Sequence, residues 1–116
     1  MKTIQFKTWK EENGEEITTA KLIEYAIGQY PEEGGQRRMF KVEEVETRIE
    51  IKRAIKNMKN NIIEFEDAWA KVVFECVITK GQFPKAELYL AEFFADVRAM
   101  HDGKKEDPLT TKLRKV

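Results

Sequence analysis

Phe65, Trp69, Val72, Val73, Cys76 and Val77 fall at i, i+4, i+7, i+8, i+11 and i+12. That spacing lines one face of an α-helix and rules out a strand, whose side chains alternate with period two. A helix with such a stripe has to bury it, so the rest of the chain must supply packing surfaces. The pattern predicts this helix over 66–80, with Gly81 as its stop. Three further helices are predicted around it. Thr18 or Thr19 caps one that runs to about Tyr30, with Leu22, Ile23, Ala26, Ile27 and Tyr30 inward. Pro31 ends it, because the residue before a proline is pushed out of helical geometry. A second spans Val42 to Met58, with Val42, Val45, Ile49, Ile55 and Met58 as its apolar stripe and Ile51 off to one side. Asn60 and Asn61 are its left-handed stop residues. The last begins at Pro84 and runs to about His101, with Leu90, Phe93, Phe94 and Val97 inward and Gly103 as its cap.

Thr3-Ile4-Gln5-Phe6-Lys7 alternates as a half-buried strand does. Asn13-Gly14 is a tight-turn signal, and the return segment Glu15-Glu16-Ile17 allows only a small hairpin. Ile62-Ile63-Glu64-Phe65 reads as a short strand that pairs with Thr3–Phe6; a two-stranded ribbon is marginal alone and has to lie on the helices. Residues 31–36 read as an exposed loop. The expected fold is therefore mainly α: a single domain of about four helices over 1–103, with a minimal two-stranded β element from the N-terminus. Residues 104–116 carry five bases, two acids and little hydrophobicity, the composition of a flexible charged tail.

A chain of 116 residues holds one core and can fold without disulfides or metal. Its single cysteine cannot form an internal bridge, so a reducing, cytoplasmic setting is expected. No run approaches the ~20 apolar residues a membrane helix needs, and the first residues lack a signal-peptide core. The 21 basic and 21 acidic residues cancel, which argues against a dedicated nucleic-acid binder. One histidine, one cysteine and no aspartate before Asp67 leave little to converge as a metal cage or a nucleophile–base pair. No catalytic, cofactor-binding or metal-binding residue is assigned, no small-molecule substrate is inferred, and a binding protein is expected rather than an enzyme.

Several local patterns have a chemical reading. Glu50-Ile51-Lys52 has the Glu-x-Lys spacing of half a metal-dependent nuclease site, but its surroundings are helical and no aspartate precedes it. Gly34-Gly35-Gln36-Arg37-Arg38 has the glycines of a phosphate cradle without the strand before it or the Lys-Ser/Thr after it. Cys76 and His101, on successive helices, are the one pair able to support covalent chemistry; read singly, they are a buried thiol and a helix C-terminal cation. The strongest positive signal is basic. Arg48, Lys52, Lys56 and Lys59 recur at i, i+4, i+8 and i+11, with Arg37, Arg38 and Lys41 just before them. Such a stripe can meet phosphates or an acidic partner, though acids early and bases late also complement a helix dipole. Leu88 and Tyr89 lie away from the inner face of the last helix and mark an interface with a protein partner or a second copy.

The order of elements carries a resemblance. A short opening strand, Thr3-Ile4-Gln5-Phe6, precedes the helix Lys21-Leu22-Ile23-Glu24-Tyr25-Ala26-Ile27. A Glu/Arg-rich helix, Ile62-Ile63-Glu64-Phe65-Glu66-Asp67 and two closing helices follow. This layout resembles the small proteins that tailed bacteriophages encode. The resemblance carries no site residues. It implies a binding role in the host cytoplasm, as a virion or assembly component or as an inhibitor or adaptor of a host protein; the Leu88 and Tyr89 surface adds the expectation of a homo-oligomer, and a nucleic-acid-binding accessory is the alternative.

Overall fold

A computed structural model describes residues 1–103, so the expected tail at 104–116 lies outside the described residues. In chain order the elements are β1 (Lys2–Gln5), β2 (Thr8–Lys10), β3 (Glu16–Thr18), α1 (Thr19–Ile27), β4 (Glu32–Glu33), β5 (Gln36–Arg37), α2 (Val42–Lys56), β6 (Ile62–Phe65), α3 (Asp67–Phe74), a π-helical turn (Glu75–Thr79) and α4 (Leu88–Asp102). Roughly half of the described residues are helical, in one mainly α domain. The β content is larger than one ribbon: β1 pairs with β6, β2 with β3 and β4 with β5.

The β1–β6 ribbon is antiparallel, with Ile4 opposite Ile63 and Lys2 opposite Phe65. Residues directly opposite share a face, so the alternation in both strands turns Ile4, Ile63 and Phe65 inward together. Asn60 and Asn61 make the turn into β6 with φ of 54° and 61°, left-handed values that asparagine tolerates. The Asn13-Gly14 turn joins β2 to β3, so the hairpin partner of the return segment is Thr8–Lys10. Thr18 caps α1, its hydroxyl accepting from the Lys21 amide at 3.2 Å. Thr19, fully buried, ties the strands to α1: its hydroxyl accepts from the Lys7 amide at 2.9 Å.

Four expectations need correction. Helix α1 stops at Ile27 with Gly28 as its cap, so Tyr30 leaves the stripe and packs on the Phe40 ring at 5.3 Å. The expected loop at 31–36 instead contributes to the small β4–β5 hairpin over 32–37, turned by Gly34 and Gly35 at positive φ. Helix α4 begins at Leu88, four residues after Pro84. The largest change is in α2, which is rotated from the expected orientation. Ile51 and Ile55 face the core, with Ile51 wholly buried, while Val42 (74% exposed), Val45 and Ile49 face outward. Met58, just past the helix, packs against the core as expected.

The long third helix forms, but its last turn is π-helical. The Lys80 amide donates to the Glu75 carbonyl at 2.8 Å, an i to i−5 bond. Gly81 follows because nothing larger fits: a Cβ there would lie 2.0 Å from the Val77 carbonyl oxygen. Ala70, Val73 and Val77 carry the buried side of this segment, while Trp69, Val72 and Cys76 are half-buried at its margin. Leu90, Phe93, Val97 and Met100 of α4 close the core from the far side. Gly103 caps α4 at φ 69°.

Candidate interaction surfaces

The basic residues singled out from the sequence do not form one surface. Arg48 lies on the inward side of α2. Its Nε donates to the Ile27 carbonyl at 2.7 Å and its Nη1 to the Glu44 carbonyl at 3.1 Å, while the guanidinium lies 4.5 Å above the Phe40 ring. Nη2 is 3.7 Å from the Cys76 Sγ. Arg38 is also engaged: it holds the Glu44 carboxylate in a two-pronged grip at 2.7 and 3.1 Å and makes an ion pair with Glu33 at 2.9 Å. That grip, with the Lys41 amide at 2.9 Å, lowers the Glu44 carboxyl to about 2. Arg38 and Arg48 therefore brace the junction of α1, α2 and the β4–β5 hairpin. Arg37, Lys52, Lys56 and Lys59 are exposed.

Beneath Arg38 and Arg48 a cleft of about 760 Å³ opens between the end of α1, the small hairpin, α2 and the π turn. Its walls carry both signs of charge, and Arg38, Glu33 and Glu44 neutralise one another across it. Cys76 faces this cleft, where burial pushes its thiol up, with Arg48 acting against that shift. A thiol held protonated is a poor nucleophile. The Cys76–His101 pairing does not form: Cys76 contacts Arg48, whereas the His101 ring stacks on Phe74 at 3.9 Å and meets Asp102 at 3.3 Å. Glu50-Ile51-Lys52 is helical with Ile51 in the core. Among the described residues no three His, Cys, Asp or Glu side chains are grouped to hold a metal ion, and no helix is long and apolar enough to cross a membrane.

Leu88 and Tyr89 part company. Tyr89 is fastened to the β2–β3 hairpin: its hydroxyl donates to Glu11 Oε1 at 3.1 Å and its ring stacks on Trp9 at 5.9 Å. The Trp9 indole N–H donates to Glu92 at 2.7 Å, returning the contact to α4. Burial, then the Glu11 contact, push the Tyr89 phenol up to about 12. Leu88 is 95% exposed, beside a groove of about 540 Å³ lined by Ile78, Phe83 and Phe94.

The broadest apolar exposure is on α2. Val42, Val45, Ile49, Lys52 and Lys56 follow at i, i+3, i+7, i+10 and i+14, one face of the helix, with Met39 (79% exposed) just before it. The face is apolar in its first half and basic in its second. Glu43, Glu46 and Glu50 line one flank, and Glu50 pairs with Arg53 at 2.6 Å. The sequence displays this stripe plainly, and its apolar character predicts burial. The competing signal was Ile51 and Ile55 at i, i+4 with Arg48 beside them.

No protein-family model, curated protein or solved structure matches this chain.

Proposed function

We propose that the protein is a small protein–protein interaction module that receives its partner on the outward face of α2. The observation that carries this reading is the exposed stripe of Val42, Val45 and Ile49, continued by Met39, on a helix whose opposite side already fills the core. Contiguous apolar surface of this kind, rimmed by charge, marks binding sites in soluble domains. In the α1–α2 cleft Arg38, Glu33 and Glu44 pair with one another and Arg48 binds backbone carbonyls, which favours a binder over a catalyst. The nucleic-acid alternative keeps only Arg37, Lys52, Lys56 and Lys59, since Arg38 and Arg48 have structural duties. A tailed-phage setting is part of the proposal, and its support is the order of elements.

The test is a photo-reactive benzoylphenylalanine placed at Val42 and, as a control, at the exposed Glu24 of α1. Irradiation in cells should give a discrete protein adduct from position 42 that disappears in the Ile49→Asp background. Equal adducts from both positions, or none from position 42, would remove α2 as the docking face.

A further inference from the structure

The charge along α2 is distributed unevenly about its apolar stripe. Lys52 and Lys56 extend the stripe toward the helix end and Lys59 follows it, all exposed. Among the described residues no ion pair occupies these three ammonium groups, while the neighbouring cations Arg38, Arg48 and Arg53 are all engaged. Acids line one flank of the stripe, Glu43 and Glu46 toward the start of the helix and Glu50 near its middle. Apolar contact and unneutralised positive charge therefore lie end to end on one helical face. We infer that the occupant of this face is an acidic amphipathic helix of another protein: apolar against Met39, Val42, Val45 and Ile49, and carboxylate-bearing against Lys52, Lys56 and Lys59. This rests on the reading of α2 as a docking face and adds the chemistry of what docks.

Other occupants fit the charge less well. A second copy paired antiparallel about a two-fold axis would set the acidic flanks side by side and lay the lysine end of each helix on the apolar start of the other, leaving both signs of charge without a partner. Paired parallel, it would place Lys52 against the partner's Lys52. An anionic membrane or a nucleic acid presents negative charge broadly, to both flanks at once, and Glu43, Glu46 and Glu50 would oppose it. A single helix, about 10 Å wide, meets the lysine end and avoids the acidic flank. The 15 residues of α2 make a seat about 22 Å long, room for the i, i+3, i+4, i+7 anchors of a helix-in-groove contact.

The experiment is selection from a displayed library of amphipathic helical peptides, captured on the wild-type protein and depleted on the Ile49→Asp variant. Recovered peptides should carry net negative charge. By fluorescence anisotropy their affinity should fall about tenfold for Lys52→Glu/Lys56→Glu, and fall with added salt, as expected for interfacial charge pairs. Circular dichroism of each variant, whose altered residues are all exposed, checks that the fold is intact. Recovered peptides that are neutral or basic would overturn the acidic assignment while leaving α2 a docking face. A library yielding no peptide that distinguishes the wild type from Ile49→Asp would overturn both. Two further results would also overturn the inference: a dimer in sedimentation that Ile49→Asp abolishes, or binding to phosphatidylserine vesicles that Ile49→Asp abolishes.

Discussion

Arg48 shows how a charged side chain comes to lie against a core. Ile27 ends α1, and its carbonyl is one of those a helix C-terminus leaves without an internal partner; the Arg48 Nε meets it at 2.7 Å. The flat face of the same guanidinium covers Phe40. Replacing Arg48 with Met keeps the aliphatic bulk but strands that carbonyl, so a loss of about 2 kcal/mol is expected, the scale of a charged hydrogen bond with a buried group left unpaired. Arg48→Lys should recover little, because an ammonium lacks the planar fork. Urea midpoints of the two variants decide: a neutral Arg48→Met would mean that the contacts with Ile27 and Phe40 contribute nothing net. Trp69 makes the opposite point. Its place on the strongest stripe in the sequence predicts a core anchor, yet the ring is half-buried at the rim of a groove beside Met58 and Ile62. Ile51, set off to one side by the same reasoning, is wholly buried. Ile51→Ala should therefore cost the 2–5 kcal/mol typical of a core truncation, and Trp69→Ala distinctly less. The reverse ranking would restore Trp69 as the anchor. Periodicity states which residues share a helix face, and packing decides which face turns inward.

The strands were legible because their alternation is local and their partner is apolar: Ile4 and Ile63 could bury themselves only together. The π turn was not, because an extra residue per turn leaves the stripe of Val73 and Val77 in place. What it changes is the backbone at Gly81. A Cβ there meets the Val77 carbonyl at 2.0 Å, so Gly81→Ala has to displace the turn. A loss of about 2 kcal/mol or more is expected, roughly 8–16 °C in Tm for a domain of this size. An unchanged Tm would show that the turn relaxes freely. The β2–β3 hairpin and the residue before it hold α4 through charge as well as stacking: Lys7 meets Glu92 and Asp96 at 3.0 Å, and Tyr89 meets Glu11. The phenol of Tyr89 is raised from 10 to about 12, so the folded chain keeps a proton that the unfolded chain gives up first. This contribution is complete below pH 10 and fades as pH rises toward 12. Glu44 acts in the other direction, lowered from 4.5 to about 2. Its contribution is present above pH 4.5 and disappears as pH falls toward 2. Denaturation across pH should show Tyr89→Phe losing part of the alkaline slope and Glu44→Gln part of the acid slope. Slopes matching the wild type in both variants would assign the titration to other groups.

At the scale of the molecule, the element order and the β1–β6 closure were visible in the sequence, whereas the outward orientation of Val42, Val45 and Ile49 was not. Ile51 and Ile55 already supply the share of the core that α2 contributes, so the apolar residues on its opposite side have nothing to pack against. That closure joins the first strand to a strand some sixty residues on, and Ile4, Ile63 and Phe65 of the ribbon lie in the same apolar cluster as residues from α1, α2, α3 and α4. An element that leaves this cluster uncovers the others, so unfolding is expected in one cooperative step. The two tryptophans report on opposite parts of it. Trp9 sits in the hairpin against Tyr89 and Phe93, and Trp69 sits on α3 beside the end of α2. In Trp69→Phe and Trp9→Phe variants, each of which leaves a single tryptophan, the fluorescence midpoint should coincide with that variant's own far-ultraviolet circular dichroism midpoint in urea. If the Trp9 signal is lost at lower urea than the helical signal, the hairpin is a separate, weaker unit. In that case the ion pairs from Lys7 to α4, rather than the shared core, set the stability of the N-terminal part.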